Sequence, residues 1–223
     1  MKLIGTEAGR AALQFPAEEI RPLRGLALQS AMQALVKRYG FLGSPNKPWA
    51  ELENSPWEFS EGTVESKGET IPIHKFIVYT DALAVDCKIT DDAELALADI
   101  MQWMRDALGF RDFQRPPKQI FATALIVEFE KPIEKFFHQW GRMHEILSAP
   151  IRELYDVKFP IHLFRIVWGC DPQQLHKANI FSDFQIERRL GELYSAGRFH
   201  CTGPVKTKQM IATLEAIEAL IPN

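Results

Sequence analysis

The chain of 223 residues contains few cysteines and no long hydrophobic run. Its three cysteines are Cys87, Cys170 and Cys201. So small and odd a number argues against a disulfide framework and favours a reducing compartment. No apolar stretch approaches the length that spans a bilayer, and residues 1–7 lack the apolar segment of a signal peptide. These absences predict a cytoplasmic protein with no membrane partner.

The common sequence motifs of enzyme active sites are also missing. The chain contains no G-x-x-x-x-G-K-[ST], no G-x-G-x-x-G, no G-x-S-x-G and no C-x-x-C. The usual phosphate-binding loops and the common α/β-hydrolase arrangement are therefore excluded. This pattern predicts no catalytic residue and no cofactor, and it favours a non-enzymatic protein.

The charge is uneven along the chain, although the net charge is only −3. Residues 51–100 carry 3 Lys and Arg against 12 Asp and Glu, a net charge of −9. Because contacts to phosphate supply most of the non-specific affinity for nucleic acid, this acidic segment makes nucleic acid an unlikely partner. It permits a basic partner, but carboxylates that solvate loops and an edge strand explain it more simply.

Hydrophobic periodicity predicts the elements of the first half. The first 42 residues have a helical pattern, with a main helix over 23–39. Residues 57–65 alternate loosely as a strand in which Gly62 marks a bulge, and 71–79 and 83–89 form a strong hairpin. A helix follows over Thr90–Leu108, with Thr90 as its N-cap and Asp91 and Asp92 in its first turn.

The second half repeats a similar rhythm after the junction at Pro116-Pro117. Residues 119–130 are apolar on both faces and predict a central strand. A helix opens at Lys131-Pro132 and runs to about Leu147, where Ala149-Pro150 interrupts it. Strands are predicted over 161–170, 180–189 and 193–201, the last two forming a pair. A final helix starts at Gly203-Pro204.

This order predicts an α+β fold with a mainly antiparallel sheet and amphipathic helices packed on one face. Two similar βαβ-like halves are expected, 1–115 and 118–223, either as separate domains or as one continuous domain.

Metal and acid–base sites find little support in the sequence. His138 and His144 point to different sides of one predicted helix, and the spacings among Cys170, His176, His200 and Cys201 do not match the usual ligand patterns. We therefore predict no metal site. Among the acidic residues near the hairpin, Asp86 alone lacks a structural explanation and is a distant candidate for a general base.

A basic group near the C-terminus is the sharpest indication of a ligand. It precedes and opens the last helix, whose N-terminus follows Gly203 and could attract an anion. A solvated strand edge and a capped helix are the simpler explanation. The candidate anion-binding residues are Arg188, Arg189, Arg198, Lys206 and Lys208.

The predicted helix after Pro132 is apolar over a wide arc that includes Phe136, Trp140 and Met143. It is either the central helix of the fold or a surface that meets another chain.

These patterns predict a non-enzymatic protein–protein interaction subunit or adaptor of a cytoplasmic assembly, whose partner is another protein or a second copy. One alternative is a binder of, or an enzyme acting on, a phosphorylated or acidic small molecule. Another is a nucleic-acid-binding accessory protein.

Overall fold

The structure is a computed structural model, in which Leu28 and Gln29 are described by backbone alone. It describes residues 1–16, 19, 28–45, 56–66, 68–110, 112–137, 139–155, 162–169 and 183–222. Within these residues the fold contains four α-helices and eight strands, which confirms the predicted α+β class.

The strands join in one antiparallel sheet, in the order β2-β3-β4-β1-β5-β8-β7-β6. The first half comprises β1 (Lys2–Gln14), α1 (Leu28–Tyr39), β2 (Trp57–Ser66), β3 (Glu69–Val78), β4 (Ala82–Cys87) and α2 (Thr90–Leu108). The second half comprises β5 (Lys118–Glu128), α3 (Trp140–Tyr155), β6 (Arg165–Trp168), β7 (Phe184–Arg188), β8 (Arg198–Gly203) and α4 (Thr207–Ala219).

The chain divides into two compact units. The N-terminal unit comprises residues 6–124 with 204–207, and the C-terminal unit comprises residues 1–5, 125–203 and 208–223.

In the N-terminal unit, α1 and α2 bury their apolar faces against the β2–β3–β4 sheet. Leu35 and Tyr39 of α1 share one core with Ile100 of α2 and with Ile73 and Val85 of the strands. Alternation explains this arrangement, because Leu83, Val85 and Cys87 of β4 face that core while Ala84 faces the other side of the sheet.

Two details of the hairpin and helix differ from the sequence predictions. The β2–β3 register is unshifted on either side of Gly62, so no extra residue is inserted there. Glycine is required at this position because a Cβ atom would lie 2.5 Å from the ring of Phe41. The N-cap of α2 is Ile89, with Thr90 as the first helical residue.

The prediction that the first 42 residues are helical is wrong for residues 2–14, which form β1. This strand pairs with β4, and Arg10 lies opposite Asp86. A glycine weakens the strand pattern here, because the backbone at Ile89 and Thr90 lies very close to Gly9. A Cβ atom on Gly9 would lie 2.3 Å from the backbone of Ile89 and Thr90. The end of the predicted helix at Tyr39 is confirmed.

The C-terminal unit has its core around β5, β7, β8 and α4. Leu125, Ile186, Phe199 and Met210 are buried, together with Leu214. The predicted central position of β5 and the pairing of β7 with β8 are confirmed.

The segment after Pro132 departs from the prediction. Ile133–Phe136 forms a short 3-10 turn, and α3 begins only at Trp140 and continues through Pro150. Of the predicted strand 161–170, the described part forms β6 at one end of the sheet order, where no residue of the strand is buried.

Over the described residues, both halves of the chain follow the same order of strands and α-helices: a strand, a helix, three strands and a helix. A matching backbone hydrogen bond occurs in each. The Phe15 N–H donates to the Asp81 carbonyl just before β4 (2.9 Å), and the Phe129 N–H donates to the Gly197 carbonyl just before β8 (3.0 Å). The described parts of the two halves therefore share one order of elements and this hydrogen bond.

Candidate functional site

Helix α3 presents an exposed apolar face, which is unusual for a helix of this composition. Its one buried residue is Ser148, a polar side chain. The exposed fractions are 45% for Met143, 47% for Leu147, 74% for Leu154 and 70% for Tyr155. We call the apolar residues Trp140, Met143, Ile146, Leu147, Ile151, Leu154 and Tyr155 the α3 face. Large exposed apolar patches on a protein surface usually mark contact sites.

Five of the seven residues of the α3 face recur at the spacing of a helix–helix seam. Trp140, Met143, Leu147, Ile151 and Leu154 follow one another at steps of three or four residues, which places them along one side of the helix. The charged residues of α3 occupy the opposite side and comprise two arginines and two glutamates: Arg142, Glu145, Arg152 and Glu153. The helix is therefore amphipathic and carries no net charge.

The matching helix of the other unit shows what is unusual about α3. In α1, which occupies the same place in the order of elements, Ala31, Leu35 and Tyr39 are buried. Tyr39 also donates a hydrogen bond to Asp99 of α2 at 2.8 Å. One unit thus covers the apolar face of this helix internally, while the other leaves it at the surface.

The three predicted interface residues lie in or beside this region. Phe136 (40% exposed) ends the 3-10 turn that precedes α3, and Met143 lies on the α3 face. Trp140, the first residue of α3, is half-buried. The sequence could identify the wide apolar arc but not its exposure, which depends on what packs against the helix.

Four of the five predicted anion-binding residues, Arg188, Arg189, Arg198 and Lys206, contact carboxylates of the chain. Arg188 is buried and donates hydrogen bonds to the Leu163 carbonyl (3.1 Å), to the Tyr194 carbonyl (2.9 Å) and to Glu134. Its guanidinium also lies over the rings of Tyr194 and Phe199, 4.5 and 4.8 Å from their centres. These contacts give Arg188 a structural role.

Arg189 and Arg198 share a carboxylate partner. Arg198 donates to Glu128 (3.1 Å) and to Glu192 (2.9 Å), and Arg189 lies 3.3 Å from Glu192. The hydrogen bonds to these two glutamates raise the pKa of Arg198. Although Arg188, Arg189 and Arg198 line one small recess, carboxylates already balance their charge.

Lys206 and Lys208 belong to different units. Lys206 donates to Glu94 at 2.6 Å and lies over the ring of Phe121, 4.6 Å from its centre. Lys208 is exposed. At the predicted anion site, the Thr207 N–H at the start of α4 already donates to the Thr90 hydroxyl oxygen. Anion binding by these five residues stays a prediction.

Asp86, the distant candidate for a general base, forms a bidentate ion pair with Arg10. The two hydrogen bonds measure 2.6 and 2.8 Å. Because the two residues are opposite each other in β1 and β4, the pair is a cross-strand contact that gives Asp86 a structural function.

The described cysteines and histidines do not assemble into a metal site. Among the residues that the structure describes, no three His, Cys, Asp or Glu side chains lie close enough to hold a metal ion. His138, Cys170 and His176 fall outside those residues. Burial raises the pKa of the Cys201 thiol to about 12. Burial, together with the Asp92 and Asp86 carboxylates, raises that of Cys87 to about 12.

Comparison with protein-family models and with curated proteins finds no match to this chain. In the described part of the chain, no helix has both the length and the apolar character needed to cross a membrane.

Proposed function

We propose that this protein is a non-enzymatic interaction subunit that self-associates through the α3 face. The observation that carries the proposal is the exposure of this face, in a helix whose counterpart α1 buries its own apolar residues. Burying apolar surface stabilises association by about 25 cal/mol for each Å² removed from water. A surface rich in leucine, isoleucine and aromatic residues therefore favours association.

The chemistry of the α3 face favours a second copy as its partner. Its three- and four-residue spacing fits the seam of two packed helices. Because the charges of α3 balance, a symmetric pair would bring no excess of like charge together. A two-fold contact uses the same patch twice and is the commonest form of self-association. Trp140 and Met143 are residue types enriched at the centre of such contacts.

The proposal places the protein in the cytoplasm. Cys87 and Cys201 are buried free thiols, which suits a reducing compartment.

Sedimentation velocity over a wide range of concentrations tests the proposal. We expect a dimer for the natural chain and a monomer for the double variant Leu147→Glu, Leu154→Glu, because charges buried at a contact without partners cost several kcal/mol. The matched control is Leu42→Glu, at a leucine that is 79% exposed in the N-terminal unit. It should dimerise like the natural chain.

Two outcomes would contradict the proposal: a natural chain that is monomeric at every concentration, or a double variant that dimerises as well as the natural chain. Circular dichroism of each variant confirms that the fold is kept.

A further inference from the structure

The C-terminal unit contains a cavity that the α3 face does not use. Its volume is about 450 Å³, which lies within the range of small-molecule sites. Three aromatic residues, Phe129, Phe199 and Tyr194, are among its lining residues. His162 also lines it and stacks on Tyr194, with ring centres 4.3 Å apart.

Four charged residues line this cavity, Glu130, Lys131, Glu134 and Arg188, and their charges sum to zero. Arg188 and Glu134 form a hydrogen-bonded ion pair, and their side chains are only 10% and 16% exposed. The pair carries no net charge. A charged ligand would therefore add an unpaired charge to a partly buried site, which is costly, whereas a neutral ligand would not.

The same pair retains hydrogen-bonding capacity. A guanidinium has five N–H groups, and the described part of the chain provides acceptors for three of those on Arg188. Glu134 accepts from Arg188 through Oε1, and within the described residues its Oε2 remains as a further acceptor. The pair thus offers donors and an acceptor side by side.

We propose that this cavity binds a small, uncharged molecule with a planar amide group on an aromatic body. The amide carbonyl accepts from Arg188, and the amide N–H donates to Glu134. The aromatic body lies against Tyr194, Phe129 and Phe199, where aromatic pairs favour offset or edge-to-face contact. This site is independent of the proposed self-association.

Benzamide and benzoate are the probes that test the site, because they share a ring and differ in the charge of the polar group. Binding to the full chain is followed by ligand-detected NMR. We expect saturable binding of benzamide and binding of benzoate that is about tenfold weaker or more, since the carboxylate meets Glu134. Ser195 lines the cavity, so Ser195→Phe adds a ring at its wall and should abolish benzamide binding. The control Ser66→Phe, in the other unit, should not.

The variant Glu134→Gln tests whether the charge of Glu134 sets the preference for benzamide over benzoate. A purely structural role for Glu134 would leave this preference unchanged. The substitution leaves the Arg188 charge uncompensated, so the preference should reverse and benzoate should bind more tightly than benzamide. The proposal is overturned if benzamide does not bind the natural chain saturably, or if benzoate binds equally well. The proposal is also overturned if the Ser195→Phe variant still binds benzamide. This result does not depend on whether the Glu134→Gln variant folds.

Discussion

Thr90 and Thr207, the first residues of α2 and α4, cap each other. The Thr90 N–H donates to the Thr207 hydroxyl oxygen at 3.0 Å, and the Thr207 N–H donates to the Thr90 hydroxyl oxygen at 2.9 Å. Both residues are buried. The first N–H groups of a helix have no partner within the helix, so each hydroxyl satisfies a donor that would otherwise be buried without an acceptor.

Removing one hydroxyl should therefore destabilise the protein. We expect Thr90→Val, which keeps the side-chain shape, to lower the free energy of unfolding by roughly 1–3 kcal/mol, because it strands the Thr207 N–H. Thr90→Ser keeps the hydroxyl and should cost less. Urea unfolding measures both. The pairing is wrong if Thr90→Val is as stable as Thr90→Ser, or if Thr90→Val and Thr207→Val are fully additive in the double variant.

The Arg188–Glu134 pair leads to a second prediction. Arg188→Met should destabilise the protein by roughly 3–5 kcal/mol, because it leaves the largely buried carboxylate of Glu134 without its partner. The double variant Arg188→Met, Glu134→Met should recover a large part of this loss, since no charge is then left unpaired. Urea unfolding of the four proteins tests this, and a double variant less stable than Arg188→Met alone would refute it.

A third prediction concerns the close approach of Phe41 to Gly62. Gly62→Ala forces its Cβ into the Phe41 ring, so we expect the free energy of unfolding to fall by roughly 1–3 kcal/mol. Gly5→Ala is the control, because a Cβ there has no heavy atom within 4 Å. If the two variants unfold at the same urea concentration, the packing of Phe41 against Gly62 is not as we describe.

The buried thiols predict a pH dependence. In the unfolded chain, Cys201 releases its proton near the ordinary pKa of 9.0, whereas in the folded chain it retains the proton to about 12. Between these values the unfolded state binds fewer protons, so this residue lowers the stability as pH rises from 9 towards 12. The variant Cys201→Ala should lose less stability than the natural chain between pH 8 and pH 10. An equal loss in both proteins would show that Cys201 is not protected by burial.

The elements with strong periodicity could be predicted from the sequence. The bounds of α2 agree with the prediction at both ends, because its apolar residues repeat on one face and Gly109 ends it in a left-handed conformation. The β3–β4 hairpin was equally clear from its alternating and β-branched residues.

The strand β1 could not be predicted, and the reason lies in its packing. Gly9 has no side chain because the backbone of Ile89 and Thr90 lies directly against it, and a glycine at this position weakens the pattern that indicates a strand. Close packing at a central position in the sheet therefore removed the sequence pattern by which β1 could have been recognised.

The partners of the charged residues could not be predicted either. Arg188 meets Glu134 across 54 residues of sequence, and Arg10 meets Asp86 across 76. Such pairs follow from strand order and register, which local patterns do not encode. The sequence therefore indicates a cluster of basic residues but not the carboxylates with which four of them pair in the fold.

Disulfide cross-linking between copies tests the central claim, self-association through the α3 face, most directly. Single cysteines are introduced by Met143→Cys, Leu147→Cys or Ile151→Cys, with Cys170→Ser as background and Leu42→Cys as the control. Because a disulfide requires Cα atoms within about 7 Å, we predict that at least one α3 position forms a covalent dimer much faster than the control. The claim is contradicted if every α3 position cross-links no faster than Leu42→Cys.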